Sequence, residues 1–108
     1  MTDFSVNEML AMQEKLQEKY RERWEEMSVE NIPHKLLWMV GEIGEVIDIV
    51  KKNGSRRAVS DPALRAALVE EMADVMMYYH DVMLCCGITA EELKRAYTQK
   101  FERNMSRW

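Results

Sequence analysis

Apolar positions recur at helical intervals along most of the chain. Leu36, Val40, Ile43, Ile47 and Val50 are separated by 4, 3, 4 and 3 residues, the interval that returns side chains to one face of an α-helix. Leu64, Leu68, Met72, Val75, Tyr79 and Val82 repeat the pattern. A thinner stripe comes first (Met9, Met12 or Gln13, Leu16, Tyr20, Trp24), and Leu93, Tyr97, Phe101 and Trp108 mark a last one. No stretch alternates with period two, so no strand is expected.

The ends of these runs carry their own signals. Ser5-Val6-Asn7-Glu8 is a capping box and opens a first helix near Val6 that should reach about Met27. A loop follows through Ser28 to Ile32. Pro33 fits the first turn of a second helix, capped near Asn31 or Ile32 and ending at Lys51-Lys52-Asn53-Gly54. Residues 54–60 are expected to form a basic loop. Asp61-Pro62 starts a third helix that Gly87 stops after Cys86, and Thr89-Ala90-Glu91-Glu92 caps a fourth that should run to about Arg107. Four helices with short connections predict an all-α, four-helix bundle-like protomer forming one domain over residues 1–108.

Composition narrows this picture only a little. The chain has 108 residues, 47% hydrophobic and 31% charged, ordinary for a soluble domain. A helical domain this small often completes its core by oligomerising. A net charge of −4 argues against a nucleic-acid polymer as partner, though not against a small nucleotide carrying its own metal. No apolar run is long enough to span a bilayer, so no membrane partner is expected. The N-terminus has no signal-peptide pattern, and Cys85 and Cys86 are adjacent, without zinc or redox spacing. Both points suit a cytoplasmic location. Ten methionines fit core gap-filling, and the alternating charges from Glu14 to Glu26 fit a solvated face.

Four acids stand out against this background. Glu42 and Glu45 lie i, i+3 in the second helix, and Glu71 and Asp74 do so in the third, so each pair shares a helix face. None has a Lys or Arg three or four residues away. Both runs read as largely buried, with Trp38, Glu42, Glu45 and Ile49 roughly opposite the core stripe. Antiparallel helices could bring the pairs face to face. Like charges gathered in a core repel and shift their pKa values unless a cation lies between them. A hard divalent ion with oxygen ligands answers that need. The same spacing also fits solvated surface acids; the missing cations and apolar surroundings favour the metal.

At this point a resemblance appears. The segment from Ile32 to Val46, with Gly41-Glu42-Ile43-Gly44-Glu45 at its centre, resembles the second helix of the MazG-like, all-α nucleoside triphosphate pyrophosphohydrolase superfamily. Glu70-Glu71-Met72-Ala73-Asp74-Val75 resembles its third helix, and the segment from Tyr97 to Trp108 resembles its Lys- and Asn-bearing last helix. The likeness spans roughly residues 30 to 108. It implies Mg²⁺-dependent hydrolysis of (deoxy)nucleoside triphosphates to the monophosphate and pyrophosphate, with Mn²⁺ as a possible substitute. It implies metal ligands at Glu42, Glu45, Glu71 and Asp74, some of which also act on the attacking water. It also implies phosphate and nucleotide contacts at Lys100 and Asn104, with Arg103 or Arg107 less firmly mapped, and a homodimer or homotetramer in nucleotide-pool housekeeping.

Other residues stay open between two roles. Gly41 and Gly44 suggest close approach by a helix or ligand, since glycine inside a helix costs about 1 kcal/mol against alanine. His34, Trp38 and Trp24 fit either base stacking or packing. Lys51, Lys52, Arg56 and Arg57 fit phosphate contacts or a solvated loop. Asp81 fits an outer acid and His80 a structural role. A non-catalytic helical binding or assembly module is the rival class. A di-iron bundle is disfavoured, because Glu45 and Asp74 stand where its Glu-x-x-His pairs need histidine.

Overall fold

In the computed structural model, which describes residues 3–107, the chain is all-helical, with no strand among those residues. The helices are α1 (Val6–Lys19), α2 (Ile32–Asn53), α3 (Ser55–Ser60), α4 (Pro62–Cys86) and α5 (Ala90–Met105), with a 3₁₀ turn at Val29–Asn31 before α2. Local chemistry sets most of the boundaries. Both capping boxes form, Ser5 with Glu8 and Thr89 with Glu92. The Asp61 carboxylate accepts from the backbone N–H groups of Ala63 and Leu64, which would otherwise lack partners at the start of α4. Gly87 ends α4 in the left-handed region, at φ 68°.

Two boundaries differ from expectation. The first helix stops at Lys19 rather than near Met27. Tyr20 turns the chain: its carbonyl accepts from the backbone N–H of Arg23 and Trp24, and the Tyr20 and Trp24 rings stack 4.7 Å apart. The basic loop at 54–60 is the short helix α3, whose Ala58 is fully buried. Gly54 enters it at φ 83°, a conformation that favours glycine.

The framework is a pair of long antiparallel helices, α2 and α4, joined through α3. Contacts between them run in reverse order along the two sequences: Lys35 meets Asp81, Trp38 meets Tyr78, and Glu42 meets Glu71 and Asp74. α1 lies against α4. The face that α2 turns to α4 carries Lys35, Trp38 and Glu42. The stripe Leu36, Val40, Ile43 and Ile47, expected to be the core side, points outward, and Ile47 is 57% exposed. α2 is apolar on two sides, and periodicity does not say which side a neighbour will take. The buried apolar core is correspondingly thin: Leu10, Ala58, Met83 and Cys85.

α5 makes no substantial packing with any other helix, and none of its residues is buried. Tyr97 is 75% exposed and Phe101 56%. Trp108, expected on the same stripe, lies outside the described residues. The radius of gyration is 16.3 Å, against about 13 Å for a compact chain of ~100 residues. No helix among the described residues is long and apolar enough to cross a membrane.

Candidate metal centre and adjoining cavity

The antiparallel pairing brings three of the four acids together. One carboxylate oxygen each from Glu42, Glu71 and Asp74 lies within 4.8 Å of the others. All three side chains are half-buried. None forms an ion pair with a Lys or Arg among the described residues. Glu71 shows the consequence. Its carboxyl is held above the ordinary carboxylate value, first by desolvation, then by its hydrogen bond with Glu42 and the charges of Glu42, Asp74 and Glu45.

Glu45 does not join this group and is exposed. The helix explains the difference. A residue at i+3 is rotated about 60° from its partner and displaced about 4.5 Å along the axis. The α4 acids therefore centre on Glu42, while the charge of Glu45 still reaches Glu71.

A cavity of about 550 Å³ opens beside these acids, and Glu42 and Asp74 form part of its wall. Trp24, Trp38 and Tyr78 line it as well, with the Trp38 and Tyr78 rings 6.1 Å apart and tilted by 60°. Burial raises the Tyr78 phenol above its ordinary value, with Glu42, Asp81 and Asp74 adding to the shift.

The deepest part of that wall is polar. Lys35 is 2% exposed and Asp81 3%, with Lys35 Nζ 3.8 Å from Asp81 Oδ2. Gln13 Nε2 donates to Asp81 Oδ1 at 2.8 Å, and Gln17 Nε2 donates to Oδ2 at 3.3 Å. Burial pushes the Asp81 carboxyl up, opposed by the Gln13 bond, the Lys35 charge and the Gln17 bond. This cluster makes Asp81 more than an outer acid. Asp81→Ala is expected to cost about 3–5 kcal/mol by stranding a buried ammonium. Lys35→Met combined with Asp81→Leu should recover most of that loss in urea melts.

Of the other expected contacts, Trp38 lies in the cavity wall but His34 does not. His34 Nδ1 meets Glu25 Oε2 at 2.5 Å, and its ring lies 6.1 Å from that of Trp38. Lys100, Arg103 and Asn104 are on α5, and none of them lines the cavity or joins the acids. Asn104 Oδ1 is nevertheless sealed from solvent without a hydrogen-bond partner. Gly41 and Gly44 have open space where a Cβ would stand, so no neighbour within the protomer requires them. His80 is buried, with Nδ1 2.6 Å from the Met76 carbonyl and Nε2 sealed from solvent without a partner.

The sequence reading missed Lys35, Gln17 and Glu25 as parts of this wall. Lys35 carried a usable signal, since it precedes Glu42 by seven residues and so shares its face. Gln13 and Gln17 lie one turn apart, but among the charges of α1 they resemble solvated residues.

Comparisons with family models, with curated proteins and with solved structures gave no match.

Proposed function

We propose that the protein is a MazG-like nucleoside triphosphate pyrophosphohydrolase, hydrolysing (deoxy)nucleoside triphosphates to the monophosphate and pyrophosphate with Mg²⁺. The observation that carries this reading is the Glu42, Glu71 and Asp74 cluster, without an ion-pair partner among the described residues, with Glu42 and Asp74 in the wall of an aromatic cavity. The donor set fits the ion. It is all oxygen and all acidic, and it sits on two rigid helices where the charges repel.

Glu42, Glu71 and Asp74 would hold the metal. Bound there, Mg²⁺ would neutralise phosphate oxygens and the charge that builds during in-line displacement at the α-phosphorus. Glu45, exposed and outside the trio, would orient the attacking water and take its proton. Trp38, Tyr78 and Trp24 offer faces for the base. Lys100 and Asn104 would have to reach the phosphates from a second protomer, which agrees with the unpacked α5 and supports a homodimer or homotetramer.

The test is a panel of ribo- and deoxynucleoside triphosphates, with and without Mg²⁺ or Mn²⁺, read for pyrophosphate against orthophosphate. Metal-dependent pyrophosphate release is expected. Orthophosphate would mean that a different bond is cut. A folded protein with no turnover and no Mg²⁺ binding would favour a helical assembly module, the alternative supported by the exposed faces of α2 and α5.

A further inference from the structure

The cavity wall around Asp81 has an unusual hydrogen-bonding bias. Gln13 and Gln17 are both buried, and each commits its Nε2 to Asp81. An ionised carboxylate only accepts hydrogen bonds, so both amides must turn their nitrogens to it. Their orientation follows from chemistry, and it leaves each Oε1 as the free end. Among the described residues neither oxygen accepts a hydrogen bond, and both glutamines line the cavity.

Glu25 lies on the same wall but offers no open acceptor. His34 holds its Oε2, while Oε1 is sealed from solvent without a partner. Two cations, Lys35 and Arg23, also line the cavity. Lys35 is turned to Asp81, and Arg23 is exposed.

We propose that this wall reads the amino edge of a nucleobase, selecting bases with an exocyclic NH₂ over their keto counterparts. This rests on the pyrophosphohydrolase reading, because it places the base beside Trp38 and Tyr78 while the phosphates lie at Glu42 and Asp74. Cytosine and adenine each offer an N–H pair that the amide oxygens can accept. Uracil and hypoxanthine present a carbonyl in the same place, so acceptor meets acceptor and the amide oxygens that the base covers stay unpaired. A buried group left unpaired costs about 1–3 kcal/mol, which corresponds to a preference of roughly 5- to 150-fold.

The experiment has two arms on the full chain. The first compares kcat/KM for CTP against UTP and for ATP against ITP with Mg²⁺. The second follows tryptophan fluorescence on adding cytidine, uridine, adenosine or inosine without metal. A preference for the amino partner of at least one pair is expected in both arms, and the pair that shows it identifies the ring size accepted. Gln17→Met, which keeps volume and removes the acceptor, should move that ratio towards one. Gln13→Met is the parallel variant, each checked for fold by circular dichroism.

Equal handling of both partners, a keto preference, or a ratio unchanged in a folded Gln17→Met protein would overturn the proposal. The arms fail separately. Nucleoside binding with the amino preference but no hydrolysis would retain the pocket and remove the reaction. Hydrolysis without discrimination would do the reverse.

Discussion

Glu42→Ala and Asp74→Ala are each expected to lower pyrophosphate release by roughly 10³-fold or more while leaving the metal-free protein at least as stable at neutral pH. Both effects come from the same charges. Each acid supplies one of three converging oxygens, and losing a ligand removes several kcal/mol of transition-state stabilisation that the ion provides, at about 1.4 kcal/mol per decade of rate. Without the ion the ionised carboxylates repel one another. Glu45→Ala, outside the trio, should lose roughly 10²- to 10⁴-fold, the contribution of a general base.

The pH dependence carries a definite sign. Folding raises the Glu71 pKa, so its contribution to stability is complete below the ordinary carboxylate range. It is lost as pH rises through the raised value. Thermal melts of the metal-free wild type should therefore weaken across that window. Glu42→Ala, which removes both the hydrogen bond and the nearest charge, should flatten the dependence, and Mg²⁺ should abolish it in the wild type. A metal-free Glu42→Ala protein melting well below the wild type at neutral pH would show that the acids are structural and not a repelling cluster.

The second large effect concerns assembly. At micromolar concentration the chain is expected to be a dimer or tetramer, and Ile47→Glu or Phe101→Glu to reduce it to protomers that melt roughly 10 °C lower or more. Leu36, Val40, Ile43 and Ile47 form one exposed apolar stripe on α2, and Tyr97, Phe101 and Met105 are exposed on α5. Contiguous apolar surface of this kind marks a contact surface in a folded protein. A glutamate placed in such a contact loses its hydration without gaining a partner. Sedimentation equilibrium over a dilution series, with melts of each variant, is the measurement. A wild type that sediments at 12.8 kDa at every concentration and melts cooperatively would overturn the expectation.

How far the sequence could be read depended on how local each cause was. Ser5, Asp61, Gly87 and Thr89 act on backbone groups within a few residues, so the helix boundaries they set were legible. The break at Tyr20 and the helix around Ala58 were not, because each depends on packing against something outside its own segment. The acid pairs were visible through their i, i+3 spacing. Which three would converge depended on how α4 sits along α2, which spacing within a single helix does not encode. The outward turn of Ile47 and its neighbours has the same origin. The amide wall was least visible, since Gln13 and Gln17 acquire their role only when Asp81 arrives from 64 to 68 residues away.

The α2–α3–α4 hairpin also bears on the route by which the chain folds. A six-residue helix links the two long ones, so their pairing closes a short loop and makes sequence-near contacts, the kind that form early. All four acids lie on that hairpin. If that pairing forms early, their repulsion acts on the barrier as well as on the finished fold, and counter-ions that screen it are expected to speed refolding.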